Sequence, residues 1–78
     1  MEVMYLSVQY KVNVLAELKS RGFSSYRLRN EKLLGEATIQ KLRRGEPVSW
    51  ENIATICRLL ECQVGDVLEY VEDSAQQP

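Results

Sequence analysis

The sequence predicts an all-α fold of five short helices in one domain. Apolar residues recur at helical spacing in successive short segments, and glycine or serine stands at the segment boundaries. A chain of 78 residues has room for only one small core, and 45% hydrophobic with 27% charged residues is typical of a globular protein. We divide the chain into an N-terminal arm at 1–10, a helical domain at 11–73 and a disordered tail at 74–78.

The first third of the chain predicts an extended segment and then two helices. Residues 3–8 (VMYLSV) are rich in β-branched and aromatic side chains, which favours a short strand or an extended arm. Helical apolar spacing predicts the first helix at 12–20, and Gly22 ends it. The second helix is predicted at 26–34, with one of the two preceding serines as its N-cap.

The third helix is predicted at 36–44 (EATIQKLRR), between two glycines. With Gly35 as N-cap, Leu34 and Ile39 have the spacing of a hydrophobic staple. Gly45 then ends the helix in the usual way for a C-terminal glycine. This segment therefore has a start signal, a stop signal and an apolar face.

Two further helices are predicted in the second half of the chain. Ser49 is a suitable N-cap for a helix at 50–61, and a last helix at 66–72 has Asp66 as its cap or first-turn acid. The side chains of the fourth helix expected to point inward are Ile53, Ile56, Cys57 and Leu60.

The composition argues against an enzyme. The chain has no histidine, which removes the commonest general base and metal ligand. Cys57 and Cys62 form no CxxC pair, so we interpret them as small apolar residues rather than as metal or redox ligands. No phosphate-binding loop or nucleophile motif is present, and we expect no cofactor and no metal. The absence of a targeting or membrane-spanning segment indicates a cytoplasmic protein.

The charge is divided unevenly along the chain, although the net charge is only −1. Residues 11–45 have nine basic and three acidic side chains, a net charge of +6. Residues 46–78 have one basic and seven acidic side chains, a net charge of −6. Such an asymmetry allows the basic segment to bind a polyanion while the acidic segment faces away from it. It is equally compatible with two charged surfaces that only contact solvent.

The spacing of five sites between 24 and 45 resembles the helix-turn-helix of the lambda-repressor-like (Cro/Xre-type) transcriptional regulators. That pattern has a serine or threonine cap and a leucine four residues later. Ten residues after the leucine comes a Thr-Ile or Thr-Leu pair. An aliphatic residue follows three positions after the Ile or Leu of the pair, and then a glycine. The resemblance extends over residues 11–72. The matching residues are Ser24, Leu28, Thr38, Ile39, Leu42 and Gly45.

The resemblance implies a sequence-specific DNA-binding transcriptional regulator, acting as a repressor and as a homodimer on double-stranded DNA. The helix at 36–44 would enter the major groove, where one helix fits. The positions that match the family's base-reading residues are Glu36, Ala37, Gln40 and Lys41. The residues expected at phosphates are Ser25, Arg27, Arg29 and Arg44, with Lys32 as a weaker candidate.

Three positions depart from the family pattern. Arg29 and Leu33 occupy the sites of the usual alanine and glycine of the second helix and its turn. Because a leucine at positive φ is strained, the sequence predicts that Gly35 is the flexible residue of this turn. Arg43 lies where the family often has glutamate, so the corresponding internal ion pair is absent or reversed.

Other interpretations remain compatible with the sequence. The basic end of the third helix also complements the helix dipole, and Trp50 is expected to be a partly buried packing residue. An alternative function is a protein–protein interaction module, antitoxin-like or a phage-encoded adaptor, whose acidic second half meets a basic partner. The dimer surface is left open between the N-terminal arm and the last helix, where Val67, Leu68 and Val71 are candidates.

Overall fold

The computed structural model describes residues 8–71, in which five helices are joined to a two-stranded sheet. The expected all-α fold with a short N-terminal strand is confirmed. The elements are β1 (Val8–Tyr10), α1 (Val14–Ser20), α2 (Ser25–Asn30), α3 (Glu36–Arg44), α4 (Trp50–Leu60), α5 (Val64–Val67) and β2 (Leu68–Tyr70).

Polar side chains fix the beginnings of three helices. Asn13, Ser24 and Ser49 each accept a hydrogen bond from the backbone N–H three residues later, at 3.1 Å in every case. Each such cap satisfies one otherwise unpaired donor and contributes about 1 kcal/mol to stability. Ser24 is therefore the N-cap of α2, and the sequence prediction of Ser49 as the cap of α4 is confirmed.

The bounds of α3 agree with the sequence prediction at both ends. Gly35 is its N-cap, in an extended conformation with φ −78°. Gly45 ends it in the left-handed region with φ 77°, and the N–H of Glu46 donates to the carbonyl oxygen of Lys41 at 2.8 Å. A glycine is needed at the left-handed position because a Cβ there is disfavoured.

The core is a single apolar cluster to which every helix contributes. Leu34 and Ile39, the predicted staple pair, both lie in it, so the start of α3 is anchored from two sides. Cys57 is only half-buried at the edge of this cluster. The buried residues are Val14, Leu18, Leu28, Leu34, Ile39, Leu42, Ile53, Ile56, Leu60 and Val67.

The turn between α2 and α3 differs from the sequence prediction. The second helix ends at Asn30 rather than continuing to 34, and the residue at positive φ is Lys32, with φ 58°. The prediction that Gly35 supplies this flexibility is wrong. The N–H of Leu33 donates to the carbonyl oxygen of Leu28 at 2.9 Å, which is the bond that closes a helix when the residue after its C-cap is left-handed. Leu33 thereby avoids the strained conformation.

The last predicted helix is also shorter than expected. The helix covers Val64–Val67 and gives way to strand β2, so the prediction of a helix at 66–72 is wrong. Gln63 is the N-cap, and Asp66 lies in the first turn, where its carboxylate accepts from the N–H of Gln63 at 2.9 Å. Asp66 therefore acts as a first-turn acid rather than as the cap.

Strand β2 is held by β1 from the other end of the chain. The two strands are antiparallel, with Gln9 opposite Glu69 and a 2.9 Å hydrogen bond between their side chains. The predicted strand at 3–8 overlaps β1 only at Val8; residues 3–7 and the predicted tail at 74–78 lie outside the described residues. The boundaries of the arm, the domain and the tail remain predictions.

Replacing Lys32 with glycine should stabilise the protein. A non-glycine residue in the left-handed region costs about 1–2 kcal/mol, and the greater freedom of glycine in the unfolded chain offsets roughly half of that. We therefore expect Lys32→Gly to raise the free energy of unfolding by about 0.5–1 kcal/mol, measured by urea denaturation. As a control, Asn30→Gly inside α2 should lower it by a few tenths of a kcal/mol. Destabilisation by both substitutions would contradict the observed turn.

Candidate nucleic-acid interface

Helix α3 presents one face to the core and another to solvent. Ile39 is completely buried and Leu42 nearly so, whereas Glu36, Ala37 and Lys41 are exposed. Since side chains three and four residues apart share a helix face, burying these two aliphatic residues fixes which side chains point outward.

A hydrogen bond to α4 supports this orientation of α3. The side-chain amide of Asn52 donates to Thr38 Oγ1 at 3.0 Å, and both residues are half-buried. Thr38 therefore acts within the fold, as expected for a residue beside the buried Ile39.

The four residues predicted to contact bases lie on the outward side of α3. Gln40 is half-buried and the other three, Glu36, Ala37 and Lys41, are exposed. Within this set, Gln40 Nε2 donates to Glu36 Oε2 at 2.9 Å. The side chains of Glu36 and Gln40 are thus joined by a hydrogen bond, and Lys41 is not part of this pair.

Arg29 connects α2 to this pair. Its Nη1 lies 3.2 Å from Glu36 Oε1, so the guanidinium and the Gln40 amide contact different oxygens of one carboxylate. The hydrogen bond from Gln40 and, to a smaller extent, the charge of Arg29 lower the pKa of Glu36 from its ordinary value. Arg43 is exposed and makes no ion pair within residues 8–71, so the ion pair expected in the family is absent there.

The residues predicted to contact phosphate differ in how firmly the fold holds them. Ser25 is half-buried at the first position of α2. Arg44 is well exposed and has Glu46 at 3.7 Å as a loose partner. Lys32 is exposed in the turn between α2 and α3.

Arg27 has several partners inside the protein. Its Nε lies 2.7 Å from a Glu31 oxygen, its Nη1 donates to the Gly22 carbonyl oxygen at 3.1 Å, and its guanidinium lies 4.7 Å from the Phe23 ring centroid. These contacts tie the turn after α1 to α2. Arg27 therefore has a role in the fold whether or not it contacts DNA.

One surface feature was missed by sequence analysis. The prediction that Trp50 is partly buried is wrong, since its side chain is 80% exposed at the start of α4. It borders an apolar groove of about 480 Å³ whose lining includes Val8, Tyr10, Pro47 and Leu68. The alternation of β1 and β2 puts Val8, Tyr10 and Leu68 on one face of the sheet, but this sheet was not predictable from local sequence.

The two thiols meet at the end of α4. Cys57 and Cys62 are free and half-buried, and the N–H of Cys62 donates to the Cys57 carbonyl oxygen at 3.0 Å. Burial, with a smaller effect of the neighbouring Cys57, raises the pKa of the Cys62 thiol. A raised pKa disfavours the reactive thiolate. Among residues 8–71, no group of histidine, cysteine, aspartate and glutamate side chains is placed to hold a metal ion.

The two helices and their turn define a helix-turn-helix DNA-binding domain. A family model, the Cro/C1-type HTH DNA-binding domain, matches residues 13–73. The chain belongs to this family and is thereby a DNA-binding regulator in general terms. The match does not favour the alternative of a protein–protein interaction module.

Neither a curated protein nor a solved structure matches the chain. Within residues 8–71, no helix has both the length and the apolar character needed to cross a bilayer.

The contacts of Glu36 predict a measurable titration. Because its pKa is lowered, its interactions stabilise the folded state above the ordinary value of 4.5 and are lost as the pH falls through the folded-state pKa. Side-chain NMR should place its midpoint below 4.5. The Gln40→Ala substitution removes the largest cause and should raise the midpoint, whereas Arg44→Ala should leave it unchanged. A wild-type midpoint at or above the ordinary value would contradict these contacts.

Proposed function

We propose that the protein is a cytoplasmic transcriptional repressor that inserts α3 into the major groove of a specific DNA sequence. The observation that supports this most strongly is the anchoring of α3 through Ile39 and Leu42, which leaves its polar side outside the core. A helix held in this way can enter a groove about 12 Å wide without unfolding any other element.

The side chains on the outward side of α3 have the chemistry for base recognition. Lys41 donates to the acceptors of guanine, Gln40 matches adenine, and Ala37 allows close approach to a thymine methyl group. Glu36 has acceptors that suit the amino group of cytosine. These four residues are the proposed base contacts.

Phosphate contacts would then position the domain without selecting a sequence. Ser25, Arg27, Arg29 and Arg44 are the proposed donors, since hydroxyl and guanidinium groups commonly bind phosphate oxygens. The +6 charge of residues 11–45 attracts the DNA backbone, while the acidic remainder of the chain is repelled by it. The charge asymmetry thus supports docking through the segment that contains α2 and α3.

Repression would follow from occupying a promoter, and we propose a homodimer as the bound form. A single module buries too little surface for tight operator binding, so two copies on neighbouring half-sites are expected. Val67 was one of the residues considered for a dimer contact in the last predicted helix. Because its side chain is only 1% exposed, it cannot form part of an interface between two copies.

A salt titration of binding to duplex DNA tests the proposal. Affinity should fall steeply with salt, with a log–log slope of about −0.9 per phosphate contact, because bound counterions are released. The measurement is fluorescence anisotropy on a mixed-sequence duplex and on a duplex selected from a random library. If neither duplex binds even at low salt, the proposed function is wrong.

Two substitutions separate the contacts in the same titration. Arg44→Ala should weaken binding to all duplexes similarly and reduce the slope by about 1, since it removes a phosphate contact. Lys41→Ala should lower discrimination at one base pair by about 1–3 kcal/mol. Equal weakening of all duplexes by both substitutions would mean that Lys41 does not contact a base.

A further inference from the structure

Three side chains from two helices form a continuous chain of contacts on the exposed side of the helix-turn-helix. Arg29 of α2 lies 3.2 Å from Glu36 Oε1, and Gln40 Nε2 donates to Glu36 Oε2 at 2.9 Å. Each carboxylate oxygen therefore has its own donor. We call these residues, Arg29, Glu36 and Gln40, the orienting triad.

The carboxylate of Glu36 determines which way the Gln40 amide faces. An ionised carboxylate only accepts hydrogen bonds, so it attracts the NH2 group of an amide and repels its carbonyl oxygen. Glu36 is ionised at neutral pH, as an ordinary glutamate is, and its contacts lower its pKa further. The amide oxygen of Gln40 consequently points away from Glu36, and one N–H of the amide stays available.

The remaining donor and acceptor of Gln40 match one base. Adenine presents N7 as an acceptor and N6 as a donor at its major-groove edge, which suits an amide in a fixed orientation. Guanine presents two acceptors at that edge, so the Gln40 oxygen would meet an acceptor instead of a donor. An amide that turned freely would discriminate less, because it would spend time in the wrong orientation.

The triad contributes little to folding. All three of its members are at least partly exposed, and a pair such as Arg29 and Glu36 is weakened by solvent screening. Arg29 is also exposed and lies outside the apolar core cluster. Its contact is therefore better suited to orienting a side chain than to stabilising the domain.

We propose that Arg29 and Glu36 are positioning residues that hold Gln40 in the orientation that selects an adenine. This inference rests on the proposed function, and it deepens it by assigning one base preference to one side chain. It also replaces the direct contact of Glu36 with cytosine by an indirect role.

The experiment is a selection of bound duplexes from a random DNA library, with the full chain and a set of variants. Base preference at each position is compared between wild type, Gln40→Ala, Glu36→Ala and Arg29→Met. Arg29→Lys keeps the positive charge beside Glu36 and serves as the conservative rescue. Arg44→Ala is the matched control, since it removes a charge from another exposed ion pair. Thermal unfolding of each variant confirms that it is folded.

The wild type should prefer adenine at one position by roughly tenfold or more, as a bidentate contact does. Gln40→Ala and Glu36→Ala should both flatten that same position, Arg29→Met should reduce the preference severalfold, and Arg29→Lys should retain most of it. Arg44→Ala should lower affinity and leave the preferences unchanged.

Several results would overturn the inference. If Glu36→Ala removes a cytosine preference at a different position and leaves adenine selected, Glu36 contacts a base directly. If Arg29→Met changes affinity without changing preference, Arg29 acts only as a charge. A wild-type protein that enriches no sequence would instead contradict the proposed function, so the two failures are distinguishable.

Discussion

The burial of Ile39 fixes how α3 sits on the domain and so which of its side chains reach solvent. Its side chain is completely enclosed, with Leu34 ahead of it and Leu42 after it in the same core. A helix anchored at these points cannot turn about its axis without exposing apolar surface, at about 25 cal/mol per Å². The outward position of Gln40 and Lys41 is therefore a consequence of core packing.

The polar contacts act at a second level, after the core has set the helix in place. Solvent screens an exposed ion pair, so the contact between Arg29 and Glu36 adds little to stability and does not hold α2 and α3 together. They do decide how a flexible amide is presented. Apolar packing thus sets the position of α3 in the domain, and electrostatic contacts set the orientation of the polar groups at its surface.

Local sequence patterns were sufficient for α3, the helix with the proposed base contacts. The glycines around α3, the serine caps and the apolar spacing are all signals within a few residues of the element they define. Five helices were predicted and five are present in the described residues, with the bounds of α3 correct at both ends, although the last was placed at 66–72 instead of Val64–Val67. The contacts between Arg29, Glu36 and Gln40 were not predicted, because they depend on how two helices meet.

The errors arose at the two-stranded sheet, in the turn after α2 and at the start of α4. Strand β2 forms because β1, some 60 residues earlier, supplies its hydrogen-bond partners, and local helical spacing carries no sign of this. The left-handed Lys32 has no sequence signal, since the neighbouring Gly35 was the more plausible candidate. The 80% exposure of Trp50 likewise has no local sequence signal.

The insertion of α3 into the major groove is tested most directly by the NMR spectrum of the protein bound to a selected duplex. Intermolecular NOEs should connect the side chains of Gln40 and Lys41 with major-groove protons of the bases, and the core resonances of Ile39 should be unchanged on binding. NOEs to the DNA from the apolar groove at Trp50, and none from the outward face of α3, would show that α3 is not the helix that reads the DNA.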